Sequence, residues 1–372
     1  MTDNKKVNLV LEGGGVKGIG LVGAITEMEE QGYSWNYIGG TSAGAIVATL
    51  LAVGYTGKEL YDIITGTQIR FIDIMDDESV REDFFKVEKL VSPALQKKQI
   101  LLGMLLLLLK PFRTFRLLKR LKKNHGLFNG EYVVTQVREL IRKKTGDDYY
   151  TFADLAKANT DGDSKLSLMV TDITNGRLLI LPRDLEDKLK KSPEDTEIVE
   201  AMRMSMSFPL FFKPKEVFLS KEESILLMDG GILSNFPFWY IDGLEEKLRK
   251  PHPTVGVLLD EGPRDGIKNF WGIIEAILYT MISPLDRVGH RALNDRIIRV
   301  DTQAENAGTN EGISTFAFNL PETDKDKLYN NGRKAAQDWI QKFEKQIEIE
   351  KEESASEKLK QWSRKEGTTA AA

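Results

Sequence analysis

Apolar runs and amphipathic stretches alternate from the start of the chain. The apolar run at 7–11 predicts a buried strand, and Ile19, Val22, Ile25 and Met28 then recur at the spacing of one helix face. Residues 35–38 predict a second short strand, and residues 43–53, apolar and rich in small side chains, a buried helix. Strand, glycine turn, helix, strand, turn, helix is the opening of an α/β fold, with a mostly parallel central sheet flanked by helices.

The pattern changes at about residue 70. Residues 70–90 are acidic and mixed, and Asp76-Asp77-Glu78 reads as a solvated turn rather than a metal site. Ser92 and Pro93 predict a helix start, with serine as cap and proline in the first turn. That helix is expected to run to about Lys110, where Pro111 ends it. Residues 112–123 predict a basic helix, and residues 130–144 another, closed by Thr145-Gly146.

The α/β pattern resumes after about residue 160. Strands are expected at 165–171 and 177–181 around the turn Asn175-Gly176. A helix at 197–206 follows, then a strand at 224–228 that runs into Asp229-Gly230-Gly231. Strands at 254–259 and 296–300 enclose an apolar helix at about 270–281. From about Asp324 the chain is helical and increasingly charged, and 367–372 are expected to be disordered. The expected organisation is one α/β domain over 1–320, with a core from 1–60 and 150–320 and a helical insertion at about 70–145. A charged helical extension follows over 321–372.

Composition narrows the chemistry. The 372 residues are 41% hydrophobic and 29% charged with a net charge of −4, which suits a soluble core and argues against a nucleic-acid partner. Cysteine is absent, which excludes disulfides, thiolate zinc sites and a cysteine nucleophile, and suits the cytoplasm. The first apolar run is only about five residues, shorter than the roughly 7–15 of a secretory leader. There are three histidines, His125, His252 and His290, and none ends a predicted strand. No group of acidic residues and histidines has metal-ligand spacing.

Two glycine-rich turns carry the candidate chemistry. Glu12-Gly13-Gly14-Gly15-Val16-Lys17-Gly18 follows the first strand and opens a helix, a place where backbone N–H groups converge on an anion. Gly13, Gly15 and Gly18 also fit a dinucleotide fingerprint, but the carboxylate it needs after the second strand is missing, so no nucleotide cofactor is expected. Gly40-Thr41-Ser42-Ala43-Gly44 is G-x-S-x-G between a strand and a helix, the context of a nucleophile elbow, although Ser42 would also serve as a helix cap. A serine nucleophile needs a base, and Asp229 offers one at the carboxyl end of an apolar strand. Asp-Gly is equally a common turn.

These motifs, in this order, resemble those of the patatin-like phospholipase family. Residues 12–18 look like its oxyanion-hole loop, 40–44 like its nucleophile elbow, and Asp229-Gly230-Gly231 like its Asp-Gly-Ala/Gly motif. Val170-Thr171-Asp172-Ile173-Thr174-Asn175-Gly176 and Met204-Ser205-Met206-Ser207-Phe208-Pro209 also match. The resemblance covers roughly 7–240, weakens toward 320, and is least at about 70–125. It implies a three-layer α/β/α fold and a Ser42–Asp229 dyad without histidine. Gly13, Gly14, Gly15, Lys17 and Gly18 would form the oxyanion loop. It also implies a phospholipid or lysophospholipid substrate and no cofactor. An acyltransferase using the same site, or a lipid-binding protein with an inactive one, would carry the same motifs.

A last feature concerns membranes. Residues 100–109 are all apolar but too few to span a bilayer, which takes about 20. Seven basic and no acidic residues follow between Lys110 and Lys123. On a helix, Arg113, Arg116, Arg120 and Lys123 share one face, and Phe115, Leu117, Leu118 and Leu121 the other. This layout predicts transient contact of the basic face with anionic lipid, and a cytoplasmic protein peripheral to the membrane. A core helix with a solvated basic face has the same pattern.

Overall fold

The computed structural model describes residues 5–66, 70–96, 111–160, 162–245, 252–260, 294–303 and 317–343, with Ile313, Thr315 and Lys345. The predicted helix at 270–281, the apolar run at 100–109 and the tail at 367–372 lie outside the described residues. The chain forms a mixed, mostly parallel sheet flanked by helices. In chain order the sheet comprises β1 (Lys6–Leu11), β2 (Ser34–Gly40), β4 (Leu166–Asp172), β5 (Arg177–Leu181), β7 (Lys215–Phe218), β8 (Ser224–Asp229), β9 (Thr254–Asp260) and β10 (Ile297–Asp301). A separate two-stranded pair joins β3 (Gly126–Phe128) to β6 (Leu210–Phe212). The large sheet has the order β10-β9-β1-β2-β4-β8-β7, with β5 also on β4. Neighbours from β10 to β4 are parallel, whereas β4 pairs antiparallel with β5 and β8, and β8 with β7.

Strand alternation builds two apolar layers. Val7, Leu9 and Leu11 of β1, with Val257 and Leu259 of β9, face the main cluster, while Val10 and Leu258 face a smaller one. Helix α1 (Ile19–Glu30) covers β9 and β10 on the main side, and α2 (Ala43–Ala52) covers β1, β2 and β4. Helix α9 (Phe238–Glu245) packs on β1, β2 and β9 and closes the smaller cluster with Ile241. A strand buried on both faces must be apolar at consecutive positions, which is why the sequence shows runs rather than alternation here.

Short helices α3 (Gly57–Thr65) and α7 (Phe152–Ala158) each begin with a capping box, Thr56 with Glu59 and Thr151 with Asp154. Helix α6 (Glu131–Thr145) ends at Gly146 in the left-handed conformation and packs on α2 and on α8 (Ile198–Ser205). The helix at 322–343 buries Leu328, Ala336, Trp339 and Ile340 in the main cluster, and Arg333 pairs with Glu27 and Glu30 of α1.

The segment at 70–124 departs from its reading in the sequence. Helix α4 runs Glu78–Gln96, so Ser92 and Pro93 lie inside it and do not start a helix. Two forces move its start upstream. Asp77 accepts the Val80 N–H at 3.1 Å and caps the helix, and Val80 and Phe84 supply a buried apolar stripe. The acidic turn is structural as well: Asp76 accepts the Asn129 and Glu131 N–H groups at 2.9 and 3.0 Å. Helix α5 (Pro111–Asn124) then packs on α4, with Pro111 as its first residue.

Candidate active site

Strand register brings three loops to one level. Leu11 pairs with Gly40 across β1 and β2, so the glycine loop and the Ser42 turn leave the sheet side by side. Gly40 pairs with Leu168 of β4, and Val170, two residues further along, pairs with Asp229 of β8. Ser42, two residues beyond Gly40, is therefore level with Asp229. Asp229 ends an apolar strand, as the sequence led one to expect, but that strand is not one of the parallel set. Strand β8 runs antiparallel to β4, and pairing register delivers the carboxylate.

Ser42 heads α2 in a strained conformation, φ 54° and ψ −121°, which non-glycine residues rarely adopt. The turn closes only because its flanks lack side chains. A Cβ on Gly40 would lie 2.4 Å from the Gly44 carbonyl oxygen, and one on Gly44 2.4 Å from that of Leu11. Ser42 makes no side-chain capping bond to α2, so the helix-cap alternative fails. Its oxygen instead stands at the positive end of the helix.

Asp229 is 2% exposed. Its Oδ1 accepts the Gly231 N–H at 2.8 Å, while buried Oδ2 has no hydrogen bond among the described residues. Burial pushes its pKa up to about 7, and the nearby Ser42 hydroxyl and the Gly231 amide pull the other way. The hydroxyl is thus close enough to act on the carboxylate without completing a bond to Oδ2. Catalytic hydrogen bonds commonly tighten only with substrate bound.

In the glycine loop, the N–H groups of Gly13, Val16 and Lys17 donate to the carbonyls of Asn235, Thr315 and Gly14, each at 3.2 Å. Those of Gly14 and Gly15 have no such partner among the described residues. A Cβ on Gly13 would lie 2.9 Å from Ser42 Cβ, so the loop passes directly over the serine. Glu12 pins the loop from behind, accepting the Leu259 N–H at 2.6 Å. Lys17 is buried in the short turn Gly15–Gly18, and Gly18 abuts Ala43. Gly230 lies tight against the Met169 carbonyl, which holds the Asp229 turn to β4.

Several supporting residues were not legible in the sequence. Ser205, fully buried at the end of α8, accepts the Ser42 N–H at 3.2 Å. The Ser207 carbonyl accepts the Asp229 N–H at 3.0 Å, and the Ser207 hydroxyl is bonded to Arg203, a buried guanidinium that also donates to the Asn129 carbonyl. Asn235 donates to the Gly13 carbonyl at 3.0 Å and ties the glycine loop to the turn after Asp229. Residues 204–209 matched a family motif, but only tertiary contacts assign these partners.

The described histidines stand away from this site. His125 is exposed after α5, and His252 precedes β9 at the opposite end of the parallel strands from Ser42. His290 lies outside the described residues.

The expected membrane face is rearranged. Arg113 reaches the fully buried Asp83 at 2.7 Å, and Arg116 pairs with the same carboxylate. Arg120 pairs with Asp77 at 2.7 Å and donates to the Leu127 carbonyl. Of the four, Arg116 and Lys123 are exposed, but Arg116 is paired with Asp83. A carboxylate buried on α4 needs countercharge, so the arginines turn inward. Leu117 turns in beside them, whereas Phe115 and Leu118 are exposed.

Comparison with known proteins points the same way as the motifs. The family model described as Patatin-like phospholipase matches residues 9–242. The chain is 33% identical over 276 residues to the uncharacterised protein YqhO of Bacillus subtilis, covering 73% of this chain and 79% of that protein. It is 45% identical over 58 residues to Lysophospholipase NTE1 of Scheffersomyces stipitis, which is 16% of this chain and 4% of that one. Among solved structures, VipD from Legionella pneumophila aligns over 91% of this chain and 67% of its own, with 19% identity and a TM-score of 0.46.

Proposed function

The chain belongs to the patatin-like phospholipase family, whose chemistry is lipid ester hydrolysis, and from that premise we propose that Ser42 and Asp229 cleave acyl esters of phospholipid or lysophospholipid. The observation that carries the reading is the pairing by register of a strained serine with a buried aspartate whose pKa is about 7. An ordinary aspartate, near 3.9, is too weak a base for a hydroxyl. At about 7 it is still ionised in part at neutral pH, and far more basic.

Ser42 Oγ attacks the ester carbonyl carbon and its proton passes to Asp229. The carbonyl oxygen becomes an oxyanion, held by the Gly14 and Gly15 N–H groups in the loop that Gly13, Lys17 and Gly18 shape. Each such donor typically lowers the barrier by about 2.7–4 kcal/mol. Collapse expels the lipid alcohol, which takes the proton from Asp229 and leaves an acyl ester on Ser42. Water then attacks that ester, Asp229 takes its proton and returns it to the Ser42 oxygen, and free fatty acid departs.

The substrate class places the work at a lipid surface, with contact there transient and peripheral. Among the described residues no helix is long and apolar enough to cross a membrane. The test is labelling with a fluorophosphonate probe alongside hydrolysis of a short-chain ester. Wild type should label at Ser42 and turn over ester. Ser42→Ala should do neither while keeping its circular dichroism. Activity above a few per cent in that variant, or retained by Asp229→Asn, would remove the dyad.

A further inference from the structure

Helix α5 is amphipathic the wrong way round for a surface helix in water. Its inner side carries the arginines bound to Asp83 and Asp77, with Leu117 as its buried apolar residue. Its outer side carries Phe112, Phe115 and Leu118, which are 87%, 66% and 58% exposed. A soluble protein ordinarily turns such residues inward. The three form one stripe, since residues three apart on a helix are neighbours. Lys119 and Lys122 continue it toward the helix end, and both are exposed. The helix contains no acidic residue.

We infer that the outer face of α5 docks the protein on an anionic bilayer, with Phe112, Phe115 and Leu118 entering the headgroup–acyl boundary and Lys119, Lys122 and Lys123 meeting lipid phosphates. Large apolar side chains beside lysines, on a helix too short to span, form the pattern of an interfacial helix. Lysine suits the position because its stem stays in the apolar zone while its ammonium reaches the headgroups. Charge selects lipid over a second copy of the chain, because face-to-face copies would oppose lysine to lysine. The arginines, expected from sequence to bind lipid, instead fasten the helix to α4 so that its apolar side projects. This assignment rests on the phospholipid reading above for its purpose, but not for its test.

The experiment uses vesicles of phosphatidylcholine and phosphatidylglycerol in equal amounts, and the full chain. Wild type should co-sediment with them at low salt. A variant with Phe112→Ser, Phe115→Ser and Leu118→Ser should bind at least about tenfold more weakly. A variant with Lys119→Gln, Lys122→Gln and Lys123→Gln should lose binding to these vesicles in a salt-dependent way and bind pure phosphatidylcholine as wild type does. Undiminished binding by the serine variant would overturn the assignment. So would a lower Tm, which means that this chain covers the face itself, or a change from dimer to monomer, which means that a second copy does. Hydrolysis of a soluble short-chain ester should match wild type in both variants. If wild type hydrolyses no ester, the catalytic reading fails while the vesicle result still decides the role of α5.

Discussion

Two residues set how the site responds to perturbation. Asp229 accepts a proton only when ionised, and burial holds its pKa at about 7. Ester turnover should therefore rise with pH and reach half its plateau near that value, as kcat/KM on a soluble ester across pH 5 to 9 would show. A flat profile over that range would contradict the assignment. Ser205 acts through Ser42, by accepting its N–H. Ser205→Ala leaves that donor without its acceptor in a water-poor site, at a cost of about 1–3 kcal/mol. The expected result is fluorophosphonate labelling of Ser42 about tenfold slower, with KM little changed and partial recovery in Ser205→Thr. Unchanged labelling would make Ser205 a packing residue only.

At the scale of elements, the α4–α5 pair depends on one carboxylate. Asp83 is fully buried and neutralises two arginines whose side chains are 34% and 54% exposed. Removing it strands those guanidiniums, although their access to water softens the effect. Asp83→Ala should cost roughly 1–3 kcal/mol in urea denaturation and speed amide exchange across 111–124, with exchange in α2 unaffected. Equal exchange in α5 would show that apolar contacts alone hold the helix. The capping boxes at Thr56 and Thr151 have a local signature, a threonine three residues before an acid, because both partners lie within one turn. The start of α4 has no such local arbiter. Ser92-Pro93 carries the sequence pattern of a helix start and Asp77 reads as a turn, yet the helix begins after Asp77, where the downstream stripe finds a core.

For the whole molecule, the buried Asp229 carboxyl carries a stability cost. The Asp229 pKa is 3.8 when unperturbed and about 7 in the fold, so the folded state binds the proton more tightly than the unfolded chain. Stability from this group is fully present below about 4, falls as pH rises, and is gone above about 7, a change on the order of 4 kcal/mol. Asp229→Asn removes the titration. It should flatten the pH dependence of Tm between those limits and be at least as stable as wild type at pH 8. A wild-type Tm that climbs steadily from pH 4 to 8 and an unstable Asn variant would reverse the sign of this argument.

The sequence by itself determined the local devices. It set the glycine loop at 12–18, the elbow around Ser42, the hairpin at Asn175-Gly176 and the buried strands, because each depends on neighbours in the chain. It also marked Asp229 and pointed to the fold class and family. Tertiary structure decided what depends on pairing across distance. The register of β2, β4 and β8 puts Asp229 level with Ser42 from an antiparallel strand. Ser205 meets Ser42, the Ser207 carbonyl meets Asp229 and Asn235 meets Gly13 only when helices and loops far apart in sequence come together. On α5 the helical spacing grouped the three arginines correctly, but Leu117 turns in beside them and Lys123 stands outward with Phe115 and Leu118. Which face turns inward was settled by a buried carboxylate on α4, since an unpaired buried charge costs more than three apolar side chains in water.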